Sequence, residues 1–242
     1  ARLYSDLGLL TSDADIGKDL TEFFNFLTLG YAPQRRYKKL LPSPNYLKKV
    51  FLGKIARELE HQSKGRGGLI QCKVNALTDT DVIRALYQAS QAGVHIDLIV
   101  RDSCLLRPGI KGLSENIRVI AIAGRFLEHS RIYYFKNGGA EEYFIGSADL
   151  MQRNLDRRVE VVAPVETPAL RAELRGILNL QLADRRGAWD MQGDGSYVQR
   201  RPQPDGEQRS AQEILIELNR KKLADEQKFM KRQRRIPKRK KS

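Results

Sequence analysis

Three observations on this 242-residue chain predict an α/β fold in which helices are layered on a mixed β-sheet. Strand-like and helix-like stretches alternate from Lys39 onward. Asn137-Gly138-Gly139 separates two short runs rich in aromatic and β-branched residues, as a hairpin turn does. A leucine stripe at helical spacing follows Pro168.

The chain opens with a strand-like run, RLYSDLGLLTS. A helix, IGKDLTEFFNFLTLG, follows with Asp13 or Asp15 as its cap, and then a turn at Tyr31-Ala32-Pro33. Residues 1–38 are too few to bury a core and read as the end of a preceding domain. A second unit spans residues 39–198. It begins with the strand KKLLP, a helix from Asn45 to about Gln62 and the loop SKGRGG. Strand LIQCKVN comes next, then a helix from Asp79 to Ala92 stopped by Gly93, and strand VHIDLIVR. The segment IRVIAIA, the two arms of the hairpin and a further strand over Arg158 to Val162 extend the sheet. Pro168 starts the helix ALRAELRGILNLQLADRRGAW, whose Leu170, Leu174, Ile177, Leu178 and Leu182 are core positions. Beyond Trp189, GDGSYVQRRPQPDGEQRS reads as a turn-rich linker and SAQEILIELNRKKLADEQ as a helix. The block KFMKRQRRIPKRKKS is expected to be disordered. Residues 199–242 are thus linker, helix and basic tail.

The formal net charge of +14 is unevenly placed. Residues 220–242 carry twelve Lys/Arg against two Asp/Glu, so +10 belongs to the tail and +4 to the other 219 residues. That tail is expected to bind polyanions nonspecifically. No apolar run approaches the roughly twenty residues of a membrane span. The start, ARLYSDLGLL, has neither an initiator Met nor a signal pattern, which reads as a piece of something longer. Cys72 and Cys104 have no metal-ligand spacing and no disulfide framework, which points to a reduced, cytoplasmic setting with no protein-held metal.

The most informative stretch is Gly124 to Glu160. Strand residues i and i+2 share a face, so His129 and Arg131 present an imidazole beside a fixed cation, a pairing that suits a phosphoryl group. Arg158 and Glu160 are expected to share a face of the next strand, where Glu160 can orient an imidazole or guanidinium. Arg101 closes the strand VHIDLIV, the end at which open α/β sheets bind ligands. Lys73 and Asn75 alternate on one strand face, either lining the same groove or forming an exposed edge. His61 and His95 read as structural or surface residues. Gly65-Arg66-Gly67-Gly68 reads as a flexible turn, because no Lys-Ser/Thr follows it.

His129-x-Arg131 followed by Gly146-Ser147-x-Asp149 resembles the phospholipase D type of motif. The runs LYQASQAGVHIDLIVR, GLSENIRVIAIAGRFLEHSRIYYFKNGG, IGSADLMQRNLDRRVEV and ILNLQLADRRGAW resemble the C-terminal part of the histidine-phosphorylating bacterial polyphosphate kinases, over Ala1 to about Tyr197. The resemblance implies a phospholipase D-like catalytic domain. It also implies reversible transfer of the ATP γ-phosphate to inorganic polyphosphate, with Mg²⁺ on the nucleotide and its protein ligands outside this chain. Tyr4, Arg101 and His129 are then ATP contacts, and His129 assists the transfer. Arg131, Arg158 and Glu160 are candidates for electrostatic support. Asp102 stands where the family is expected to have Gly. The phosphohistidine nucleophile and the N-terminal domains lie upstream of Ala1, so the isolated chain is expected to be inactive, and the full-length enzyme to be a homo-oligomer. Two other readings are a catalytically silent polyanion-binding module and a phospholipase D type nuclease or lipid transferase. Arg131 in place of the motif Lys disfavours the last.

Overall fold

The computed structural model describes residues 3–29, 37–44 and 46–234. Its strands are β1 (Tyr4–Ser5), β2 (Leu41–Ser43), β3 (Leu69–Val74), β4 (His95–Val100), β5 (Ile117–Ile122) and β6 (Leu127–Glu128). They continue with β7 (Ile132–Phe135), β8 (Glu142–Gly146), β9 (Glu160–Pro164), β10 (Ala188–Met191) and β11 (Tyr197–Gln199). The helices are α1 (Ala14–Leu29), α2 (Leu47–Ser63), α3 (Thr80–Gln91), α4 (Gln152–Asp156), α5 (Pro168–Ala183) and α6 (Ala211–Arg234). Nine strands form one mixed sheet in the order β11-β10-β5-β4-β3-β7-β8-β9-β2, while β1 and β6 pair in parallel by themselves.

The period of two along each strand sorts the core into two layers. On β3, Ile70, Cys72 and Val74 join Phe51 and Ile55 of α2 and Val82 and Leu86 of α3. On β7, Tyr133 and Phe135 face the same way, and Ile132 and Tyr134 face the other, toward Leu174, Leu178 and Leu182 of α5. Of the five predicted α5 core residues, these three leucines are buried, and Leu170 and Ile177 pack against them partly buried. The sheet thus has helices on both faces, as its alternating pattern predicts.

Local signals place most boundaries. Asp13 caps α1 by accepting from the amides of Asp15 and Ile16, and Asp79 caps α3 through Asp81 and Val82. The 137–139 turn folds as a single 3₁₀ turn, with Asn137 at φ 48° and Gly138 at φ 61°, and returns β7 into antiparallel β8. Asp19, buried on α1, accepts from the backbone amides of Lys38, Lys39 and Leu40 and so fixes the entry into β2.

Four expectations are corrected. The helix after Pro168 stops at Ala183, because Asp184 turns the chain by accepting from the amides of Arg186 and Gly187. Ala188 and Trp189, expected to end that helix, open strand β10, and Tyr197–Gln199 of the predicted linker is β11; the two form a hairpin in which β10 pairs onto β5 and extends the sheet. The strand expected from Arg158 begins at Glu160. The basic block is helical as far as Arg234, since α6 continues through it. Residues 235–242 and the Tyr31-Ala32-Pro33 turn lie outside the described residues, among which no helix is long and apolar enough to cross a membrane.

Candidate functional site

One end of the sheet gathers the candidate residues. β3 and β4 run parallel and finish there, β7 starts there, and β8 ends there. The Arg101 amide donates to Val74 O at 3.3 Å and the Asp102 amide to Asn75 O at 2.8 Å, so Arg101 sits beside Asn75 just beyond the strand ends. Register then sets Arg101 two strand spacings, about 10 Å, from the start of β7.

His129 and Arg131 are not the strand neighbours that the sequence predicts, because β7 starts only at Ile132; both lie in the step from β6 to β7, where the His129 amide donates to Ser5 O at 3.0 Å. Its Nδ1 donates to Asp6 Oδ2 at 2.7 Å, and the edge of Tyr4 stands against the imidazole at 5.5 Å between ring centroids. That bond sets the tautomer that leaves Nε2 as an acceptor, and Arg131 Nη1 lies 3.3 Å from it. Burial works to raise the Asp6 carboxyl, but the bonds from His129 and the Leu7 amide and the nearby positive charges hold it below its ordinary value.

Arg131 is anchored rather than free. Its Nε donates to Asp149 Oδ1 at 3.2 Å and its Nη2 to Asp149 Oδ2 at 2.9 Å, a bidentate pair with both side chains nearly out of water. Burial opposes the charge, yet Asp149 raises the Arg131 pKa above its ordinary value. Asn75 joins the pair, its amide donating to Asp149 Oδ1 at 2.7 Å. The turn that presents Asp149 needs Gly146, because a Cβ there collides with the Val161 carbonyl.

Lys73 and Asn75 form no exposed edge, because β3 is central, between β4 and β7. Lys73 is 2% exposed, and its Nζ donates to Ser130 O at 3.0 Å, to Ser130 Oγ at 2.8 Å and to Glu128 Oε2 at 3.1 Å. Glu128 also accepts from Gln181 of α5 and Gln212 of α6. Burial pushes the Lys73 ammonium down despite Glu128. Burial acts to raise Glu128, but Lys73 and the two glutamines hold its carboxyl low. The backbone on both sides of His129 is therefore tied to β3, α5 and α6.

The other candidates separate. Arg158 is exposed and precedes β9, and Glu160 accepts from Asn154 Nδ2 at 2.7 Å, so the expected Arg158/Glu160 pairing on a strand face does not form. His61 Nε2 lies 3.2 Å from Asn137 Oδ1 at the hairpin turn, and His95 stands 3.3 Å from Asp97, both away from the site end. Arg101 Nε is buried with no hydrogen-bond partner, at a cavity of about 490 Å³ lined also by Asp102, Cys104, Arg107, Trp189 and Tyr197. The Asp102 carboxylate meets the Ser103 hydroxyl at 3.4 Å. A second cavity of about 370 Å³ opens beside Tyr4, Asp6, Glu128 and Ser130. Among the described residues no group of three or more His, Cys, Asp or Glu converges as metal ligands. Asp6 is the residue that sequence reading missed, since no local pattern joins it to His129; Asp149 was visible in the small-residue turn but not its hold on Arg131.

Residues 40–212 match the model of the polyphosphate kinase C-terminal domain 2. Polyphosphate kinase of Synechocystis is 57% identical over 215 residues, covering 89% of this chain and 29% of that protein. The Streptomyces coelicolor enzyme is 46% identical over 223 residues, covering 92% of this chain and 30% of its own length. The crystal structure of polyphosphate kinase from Porphyromonas gingivalis superposes with a TM-score of 0.86 at 40% identity, covering 92% of this chain and 34% of that one. The chain therefore spans about a third or less of the proteins it matches.

Proposed function

The chain belongs to the polyphosphate kinase family, and we propose that it is the nucleotide-handling part of an enzyme moving the ATP γ-phosphate reversibly onto inorganic polyphosphate. In this reading the phosphate passes through a phosphohistidine carried outside this sequence. Covalent catalysis of that kind divides one transfer into two easier steps. Residues 1–38 end a preceding domain, a reading supported by β1 pairing only with β6, outside the main sheet.

The observation that carries the proposal is the relay Asp6–His129–Arg131–Asp149, at the sheet end that also holds the unpartnered Nε of Arg101. Arg101 grips phosphate oxygens, and Tyr4 offers the rest of its ring to the nucleotide. His129 gives or takes a proton at Nε2 as charge moves onto the bridging oxygen, with Asp6 holding the imidazole in place. Arg131, its fork filled by Asp149, is a fixed positive charge rather than a mobile hand. Arg158 and Glu160 are at most peripheral support. Mg²⁺ would come with the nucleotide phosphates and supply charge neutralisation. A silent polyanion-binding module would need these cations but not an oriented imidazole, so the Asp6–His129 bond favours the enzyme.

Titration of the chain with a fluorescent ATP analogue and Mg²⁺ tests the site. Arg101→Ala and His129→Ala are each expected to weaken binding by about tenfold or more, since loss of one charged hydrogen-bonding group costs about 1.5–3 kcal/mol. Unchanged affinity in both variants overturns the assignment.

A further inference from the structure

The relay is carried by two separate pieces of the fold. Arg131 directly precedes β7 and Asp149 lies in the turn after β8, so their pair belongs to the nine-stranded sheet. Strands β1 and β6 pair only with each other, Tyr4 against Leu127 and Ser5 against Glu128. The Leu127 amide donates to Leu3 O at 2.8 Å and the His129 amide to Ser5 O at 3.0 Å. Asp6 and His129 therefore move together with the β1–β6 pair, whose place against Arg131 has to be fixed from elsewhere.

Gln212, 5% exposed in the first turn of α6, makes that connection. Its Oε1 accepts from the Phe126 amide at 3.0 Å, and its Nε2 donates to Phe126 O at 2.8 Å and to Glu128 Oε1 at 2.7 Å, so both amide hydrogens are used. Among the described residues no other side chain bonds the backbone of residues 124–128. The base beneath it is firm. The Ala211 amide donates to Asp184 Oδ2 at 2.8 Å, and Asp184 also holds the amide of Gly187, whose carbonyl receives the Ala123 amide at 2.9 Å. Gly124 leaves room for the contact, because a Cβ there would stand 2.6 Å from Gln212 Oε1.

We propose that Gln212 is a positioning residue for phosphoryl transfer: by pinning β6 to the start of α6 it sets the His129 imidazole, with Asp6 and Tyr4, against Arg131 and the Arg101 end of the sheet. The assignment deepens the polyphosphate kinase reading and rests on it for the reaction affected. Arg131 does not follow a shift of β6, because Asp149 holds its fork. Loss of the Gln212 bonds therefore opens the contacts of Arg131 Nη1 with His129, 3.3 Å to Nε2 and 2.9 Å to the carbonyl. The Asp6–His129 bond, internal to the strand pair, survives. Lys73 and Gln181 still hold the Glu128 side chain, so β6 is loosened rather than lost.

The test uses two variants. Gln212→Met keeps the volume and removes all of these bonds, and Gly124→Ala displaces the amide from the other side, at an exposed residue whose φ is not positive. In the ¹⁵N-labelled chain, NOEs from the Arg131 guanidinium to the His129 ring are expected to disappear in both variants, while the Nδ1 and Nε2 shifts that report the tautomer set by Asp6 stay at their wild-type positions. In the full-length enzyme kcat is expected to fall by about tenfold to a hundredfold with KM for ATP within about threefold, since a misplacement of about 1 Å can cost roughly 10² in rate. A purely structural role lowers thermal stability but leaves the NOEs and the kcat per folded molecule unchanged, and that result in both variants overturns the proposal. So does a changed tautomer, which places the effect of Gln212 inside the strand pair. The NMR measurement needs no activity, so its outcome stands apart from whether the full-length protein makes polyphosphate.

Discussion

His129 and Asp6, 123 residues apart in the sequence, are joined by a 2.7 Å hydrogen bond from Nδ1 to Oδ2. This bond does for the imidazole what a carboxylate does in any oriented His pair: it fixes one tautomer and one ring orientation. Asp6→Asn keeps the shape, but its amide can donate to Nδ1 and so reverse the tautomer. In a full-length enzyme we expect kcat to fall by at least about tenfold, with a smaller change in KM, because general acid–base assistance contributes about 10²–10⁴. Steady-state kinetics decide it, and an unchanged kcat removes Asp6 from the relay.

The chain by itself is expected neither to label itself from radioactive ATP nor to make polyphosphate. Its histidines are His61, His95 and His129; the first two are engaged with Asn137 and Asp97 away from the site end, and the third is oriented by Asp6. Acid-labile, alkali-stable label on His129 after incubation with ATP contradicts this.

Lys73 and Glu128 make a buried ion pair that should be costly to break and cheap to replace as a unit. Glu128→Ala leaves the ammonium uncompensated, with an expected loss of about 3–5 kcal/mol in urea unfolding, and Lys73→Met alone strands the carboxylate at similar cost. The paired Lys73→Met/Glu128→Gln change should recover most of that loss. A double variant no better than the worse single contradicts this account.

The same carboxylate gives a pH signature. Glu128 titrates lower folded than unfolded, so the unfolded chain binds the proton more readily. Its contribution to stability is complete above the ordinary Glu value of 4.5 and disappears as pH falls through the depressed folded value. Melts from pH 7 to pH 3 should lose this component in the wild type, and Glu128→Gln should show a flatter profile over that range.

Cys104 lines the Arg101 cavity, yet its surroundings leave the thiol unreactive. Burial pushes it up to about 11, against the opposing influence of the Leu106 backbone and Arg107, and burial takes Cys72 to about 12. Alkylation by iodoacetamide should therefore be slow at pH 8, accelerate with rising pH, and modify Cys104 before the fully buried Cys72. Fast, pH-independent labelling near neutrality argues against this burial.

By itself the sequence determined the alternation of the main elements as far as α5, the layered class, the hairpin at Asn137-Gly138-Gly139 and the α5 leucines. Each is written in short-range terms, as a periodicity, a cap or a positive-φ turn, which neighbouring residues specify without the rest of the chain; the strand face expected to join His129 and Arg131 does not form, because the chain steps from β6 to β7 there. Tertiary structure alone decided that β3 is central, so that Lys73 is a buried partner of Glu128 rather than an edge lysine, because alternation along a strand is the same wherever the strand sits. It likewise decided that β10 and β11 belong to the sheet, that Glu160 serves Asn154, and that Asp6 serves His129. Those pairings depend on strand order and register, which arise when distant segments compete to bury their faces and satisfy their backbone groups together.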